Sequence, residues 1–254
     1  PDELAVLDAR FLEKPSFAVQ ISRDTVIKMA EISGDALQLA TELLQDYNEN
    51  KAKLVESMEQ RVDRYEDALG TYLLKVSNLD LSQNDSRMLS ILLHCINDFE
   101  RISDHAVNIR DSAVEMHEKD ISITSGGMEE MAVYSKAVQD IVQQTIQAFR
   151  TGDLTLARQV EPFEEVIDGL SIEMKQRHIT RLRKGRCTME AGLMLEDVIT
   201  NYERVSDHCS NVAVCMLQIN EDGFDTHEYL ELAAEEDSAW FREQCISLKN
   251  KYEL

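Results

Sequence analysis

The chain of 254 residues carries 48 acidic against 26 basic side chains, a formal charge of −22. That balance excludes nonspecific binding to nucleic acid and fits cations, basic partners or high solubility. Nine glycines and three prolines leave little material for turns, and 43% hydrophobic with only 6% aromatic residues points to long helices.

In chain order, residues 1–15 read as a linker. A first helix is predicted over about Ser16 to Tyr47, where Val26, Met29, Ile32, Leu39 and Leu43 recur at helical spacing. A second runs over about Asn50 to Ser77 and a third over about Gln83 to Lys119, after the turn SNLDLSQND. The stretch DISITSGG, Asp120 to Gly127, is the best boundary between domains. Beyond it come helices over about Met128 to Arg150, Asp153 to Arg183 and Thr188 to Asn220. A last helix, about Thr226 to Tyr252, follows the acidic NEDGFD and carries the only tryptophan, Trp240; it is free to pack on its own bundles or on a neighbour. The expected fold is all-α: two tandem three-helix bundles (16–120 and 128–220) plus a C-terminal helix (225–254).

An internal repeat supports this division. With an offset of 105, VESMEQRVDRY (Val55 to Tyr65) lies over VEPFEEVIDGL (Val160 to Leu170). With an offset of 103, ERISDHAVNI (Glu100 to Ile109) lies over ERVSDHCSNV (Glu203 to Val212). Residues four apart share one helix face, so Glu59/Asp63, Glu100/Asp104, Glu164/Asp168 and Glu203/Asp207 are side-by-side acids. Such pairs are common by chance in so acidic a chain; duplication of whole constellations is what singles these out. On a helical wheel Ile96, Phe99, Ile102 and Ala106 form an apolar stripe, with Asn97, Glu100, Asp104 and Asn108 beside it. Two neighbouring helices of this kind bring four carboxylates to one edge, a donor set for hard or borderline cations. The alternative is two solvated acidic faces, with Arg101 and Arg204 pairing to the aspartate three residues on. His105 and His208 point about 100° away from those aspartates and read as structural or solvent-facing, with metal ligation the minority reading. The basic run RHITRLRKGR, Arg177 to Arg186, reads first as cations at a helix C-terminus, with an anion or acidic-partner site as the minority reading.

The five cysteines form no C-x-x-C pair, which fits buried reduced thiols in a reducing cytoplasm. There is no signal peptide and no apolar run near the roughly 18 residues of a membrane span. The chain starts at Pro1 without a methionine, so a fragment of a longer protein is expected.

NDFERISDHAVNI and NYERVSDHCSNVAV resemble the signature of PhoU-type domains, over roughly Phe17 to Asn220. The resemblance implies two three-helix repeats whose E(D)-x-x-x-D motifs hold divalent or trivalent metal, iron, zinc or similar. Carried over, the ligands are Glu59, Asp63, Glu100 and Asp104 in one repeat and Glu164, Asp168, Glu203 and Asp207 in the other. Asn97 and Thr200, three residues before the motif glutamates, differ between the repeats. LDARFLEKPSFAV (Leu7 to Val19) and HITRLRKGRCTMEAGLMLEDVITNYERVSDH are similar to the cytoplasmic tails of bacterial Na⁺/phosphate cotransporters. What this implies is a metal-binding regulatory domain at the cytoplasmic face of the membrane, acting in phosphate uptake and homeostasis. Its partner would be a transmembrane transporter domain of the same chain, with a homodimer also open and no nucleic acid. The alternative is a free-standing PhoU-type regulator that binds a transporter or histidine kinase. No catalysis is expected. A di-iron carboxylate enzyme would use Glu-x-x-His, but the residues three before the six histidines are Ile91, Ile102, Val114, Lys175, Val205 and Phe224. H-E-x-x-H, P-loop, G-x-S-x-G and G-x-G-x-x-G motifs are likewise absent.

Overall fold

The computed structural model describes residues 2–220 and 238–254. Its helices are α1 Pro15–Gln45, α2 Glu49–Ser77, α3 Gln83–Glu118, α4 Ser125–Thr151, α5 Leu154–Arg158, α6 Val160–Arg183, α7 Met189–Asn220 and α8 Ser238–Lys251. No strand occurs among the described residues. Helices α1–α3 form one bundle and α4, α6 and α7 the second, with α3 against α7 and α1 against α4 joining them. One hydrophobic core runs through both and includes Met29, Leu69, Phe99 and Ile102 as well as Ile141, Ile167 and Tyr202.

Local chemistry sets the helix ends. Asn48, Ser82, Thr124 and Asp153 each accept a backbone N–H of the following first turn with a side-chain oxygen. Gly152 closes α4 at φ 68, a left-handed conformation that costs glycine little. Thr124 starts α4 three residues earlier than the sequence suggests, so Gly126 and Gly127 lie in its first turn. The single helix expected over Asp153 to Arg183 is broken after Arg158. Pro162 explains the break: it lacks an N–H and is tolerated in the first turn of α6 but not in a helix interior. At Gly192 an added Cβ would overlap the His178 imidazole, so this glycine lets α6 and α7 approach closely.

Both terminal segments dock on equivalent helices. The described residues of the N-terminal stretch form local structure. Two 3₁₀ turns, Glu3–Val6 and Ala9–Glu13, lie along α2, where Glu3 accepts from Tyr65 at 2.7 Å and Arg61, and Asp8 O from Tyr72 at 3.1 Å. The tail covers α6: Tyr252 is buried, stacks on Phe163 at 5.5 Å and bonds Asp140. Of the last predicted helix, Ser238 to Lys251 is helical and Thr226 to Asp237 lies outside the described residues. Trp240 is half-buried.

Candidate metal centres

In the first repeat, Val55, Val62 and Leu69 of α2 are buried, and so are Ile96, Phe99, Ile102 and Ala106 of α3. Their packing sets the two acidic edges side by side. Glu59, Asp63 and Asp104 each place one oxygen so that all three lie within 4.8 Å of one another. Burial, then the charges of Asp63 and Asp104, pushes Glu59 up to about 7. Glu100, one turn before Asp104, stands outside this trio but against it: burial and Asp104 raise it to about 7 as well. Arg101 pairs with Asp104 at 3.2 Å and lies 3.7 Å from Glu100, as the i+3 spacing anticipates.

The second repeat builds the same trio from Glu164, Asp168 and Asp207, again within 4.8 Å. Burial is the largest cause of the upward shift of Glu164 to about 8, followed by Asp168 and Glu161. Burial also raises Asp168 and Asp207. Glu203 behaves differently from its counterpart Glu100. Burial raises it, but the Lys175 ammonium at 3.1 Å and the Ser171 hydroxyl at 2.9 Å outweigh that and hold it below the usual value. Six of the eight anticipated residues therefore converge in two trios, while Glu100 and Glu203 flank them. The leading acids of the E-x-x-E-x-x-x-D pattern are engaged elsewhere, Glu56 by Arg110 at 2.6 Å and Glu161 by Ser210 at 2.6 Å.

Three carboxylates this close repel one another, and partial burial sharpens the repulsion. Among the described residues, two buried side-chain polar atoms lack a hydrogen-bond partner: Asp168 Oδ1 and the Tyr134 hydroxyl. Buried polar atoms are rarely left unmatched. Tyr134 is fully buried, and Glu203 and Asp168 are the carboxylates that act on it. An all-oxygen donor set with one buried oxygen, Asp168 Oδ1, left unmatched fits a hard or borderline cation. Glu59, Asp63 and Asp104 would hold it in one repeat, and Glu164, Asp168 and Asp207 in the other.

The duplicated histidines and asparagines have a separate use. His105 Nδ1 and Asn108 Nδ2 of α3 both donate to Asn201 Oδ1 of α7, at 2.9 and 3.1 Å. Reciprocally, His208 Nδ1 and Asn211 Nδ2 of α7 donate to Asp98 Oδ1 of α3, at 2.9 and 3.2 Å. The two imidazoles lie 5.6 Å apart between these bonds. Each Ser-Asp-His-x-x-Asn run thus offers an aspartate to its own cluster and a His/Asn pair to the opposite repeat. Asp98 and Asn201 were not singled out from the sequence, although each lies seven residues, two helical turns, before its own histidine. Lys175, Ser171 and Tyr134 were also missed, because no motif marks them.

The basic run is mainly structural. Arg181 and Arg177 both bind the buried Glu130, at 2.7 and 3.2 Å, and Arg177 also reaches Glu173 and the Leu254 carbonyl. Arg183, Lys184 and Arg186 are not drawn into that network, and Lys184 and Arg186 flank the turn at Gly185.

A duplicated helical bundle with one carboxylate trio per repeat defines the class. The PhoU domain profile matches residues 26–113 and 132–216, and the chain belongs to that family. It is 25% identical over 209 residues to phosphate-specific transport system accessory protein PhoU homolog 1 of Thermotoga maritima, covering 82% of this chain and 89% of that one. A PhoU homolog of Aquifex aeolicus is 25% identical over 210 residues, with 82% and 94% covered. The fold is similar to that of PhoU from Pseudomonas aeruginosa, with a TM-score of 0.74 at 20% identity over 80% of this chain and 97% of the other.

Proposed function

We propose that the chain is a PhoU-type regulator of phosphate transport that binds one metal centre per repeat and acts on a transporter at the cytoplasmic face of the membrane. The observation that carries the metal reading is the pair of equivalent trios, each with its oxygens within 4.8 Å. The transport reading rests on family membership and on relatives named as accessory proteins of a phosphate-specific transport system. Those relatives match over 89% and 94% of their own lengths, so they consist almost wholly of the duplicated bundle, which favours the free-standing regulator. No helix among the described residues is long and apolar enough to cross a membrane. The joined tail of a Na⁺/phosphate cotransporter is the second reading, and it rests on the resemblance of Leu7 to Val19. Membrane-spanning segments encoded upstream of Pro1 in the same reading frame would select it.

Bound metal would supply positive charge that cancels the repulsion within each trio. The chain's own role is positional. Asp104 and Asp207 sit next to His105 and His208, so any shift of a trio on α3 or α7 loads the bonds to Asn201 and Asp98. The α3–α7 contact is therefore where the state of one repeat reaches the other.

The test is elemental analysis of protein purified without added metal, wild type against Asp104→Asn and Asp207→Asn, together with phosphate uptake in cells. Each substitution is expected to remove the metal of its own repeat and to alter the phosphate response. A wild type that stays empty after incubation with iron, zinc and manganese would end the metal reading. Unchanged uptake at high and low phosphate after deletion of the gene would end the transport reading.

A further inference from the structure

The two repeats agree at the trio and diverge a single turn away from it. At the offset that superposes Asp63 on Asp168, Gly70 corresponds to Lys175, Glu66 to Ser171 and Met29 to Tyr134. In the second repeat, Lys175 Nζ and Ser171 Oγ both bind Glu203 Oε2, at 3.1 and 2.9 Å. In the first, Glu100 has Arg101 at 3.7 Å, a neighbour on its own helix that is 55% exposed and shared with Asp104. An exposed pair of that kind neutralises little. Burial and Asp104 raise Glu100, and Arg101 offsets only part of that.

Resting on the metal reading above, we propose that the Lys175 ammonium is a resident cation of the second cluster. It occupies the Glu203 end, so this repeat takes fewer metal ions than the first, where among the described residues no lysine reaches the cluster and only the exposed Arg101 lies beside Glu100 and Asp104. A lysine ammonium is a compact point charge, and a metal ion cannot share the same carboxylate oxygen with it without strong repulsion. The rest of the second cluster still calls for an ion: the buried Asp168 Oδ1 has no hydrogen-bond partner. The lysine closes one end of the site, and the unmatched Asp168 oxygen marks the end that remains open.

The experiment counts zinc ions per chain by native mass spectrometry and elemental analysis, after chelator stripping and reloading of the full chain. Asp207→Asn leaves only the first cluster and Asp104→Asn only the second. The first is expected to hold about one ion more than the second, one further carboxylate being free to complete an oxygen shell. In the Asp104→Asn background, Lys175→Met should gain about one ion and Lys175→Arg none, since a guanidinium keeps the charge. The reverse swap, Gly70→Lys in the Asp207→Asn background, should lose about one ion; a Cβ at Gly70 meets nothing within 4 Å, so the lysine can be placed without clash. Equal counts for the two single-cluster proteins would overturn the proposal. So would an unchanged count in Lys175→Met that keeps wild-type helicity and melting. A wild type that binds no zinc, iron or manganese would instead overturn the metal reading itself, and this inference with it.

Discussion

In the first repeat Glu100 is raised by burial and by Asp104, whereas in the second its counterpart Glu203 is held by Lys175 and Ser171. The ligand spacing is a property of helix geometry and survives in both halves. The electrostatic setting depends on side chains one turn away, and there the halves have diverged. The α3–α7 contact repeats the lesson: equivalent positions hold a charged acceptor, Asp98, on one side and a neutral one, Asn201, on the other. The repeats thus share a backbone plan and differ in what each position is worth.

The largest expected effect is in the core beneath the clusters, at the equivalent residues Phe99 and Tyr202. Phe99 is fully buried and meets Phe149 of the opposite repeat edge-on at 5.2 Å. Phe99→Ala should cost about 3–5 kcal/mol, measured by urea denaturation. A loss below about 1 kcal/mol would mean that the core does not run through both repeats as described.

The next effect sharpens the comparison at the seam. Asp98→Ala strips the partner from both His208 and Asn211 and removes charge-assisted bonds, at a cost of about 2 kcal/mol. Asn201→Ala removes the equivalent neutral pair of bonds and should cost about 1 kcal/mol. Equal losses in denaturation would show that the charge difference between the halves has no energetic weight.

These residues also show where the sequence was legible. The stripe Ile96, Phe99, Ile102 and Ala106 is buried as its spacing requires, because periodicity reports directly which face a helix turns inward. The acid pairs could be placed on shared faces for the same reason. Which acids meet across helices depends on the crossing of α2 with α3 and of α6 with α7, and no within-helix spacing encodes that. Glu100 and Glu203 share a helix face with Asp104 and Asp207 as their spacing requires, and only the helix crossing decides that they stand beside the trios. Lys175 and Ser171 escaped notice because they reach Glu203 from another helix, 28 and 32 residues away in sequence. Pro162 is the exception, since a proline inside a helical run marks the break of α5 from α6 in the chain itself.

A smaller effect tests the other half of the core pair. Tyr202 differs from Phe99 by a hydroxyl that meets Thr41 at 2.6 Å and accepts from Ser135 at 3.0 Å. Tyr202→Phe keeps the ring and leaves those two hydroxyls short of a partner, which should cost about 1 kcal/mol in the same denaturation assay. A neutral outcome would mean that the hydroxyl only fills space, and that the two equivalent positions are interchangeable.

A pH dependence is also expected of the metal-free protein, and its sign follows from the clusters. Burial and neighbouring carboxylates lift Glu59 and Glu100 to about 7 and Glu164 to about 8, from an ordinary value of 4.5. A carboxyl whose folded pKa is raised binds its proton more tightly when folded. Folding then takes up protons between the two values, and stability falls as pH rises through that window. Glu203, held below its ordinary value by Lys175 and Ser171 against burial, has the opposite sign: its contribution is present at neutral pH and is lost in acid. Chelator-treated protein should therefore melt at a lower temperature at pH 8 than at pH 5. Because Glu59 and Glu164 each sit among neighbouring carboxylates, the slope belongs to the cluster rather than to one residue. Glu164→Gln should flatten its upper portion, between about 7 and 8, and Glu59→Gln the portion below about 7. A melting temperature that rises over this range would show that the trios are not repulsive when empty, and would remove the electrostatic reason for either repeat to take up a cation.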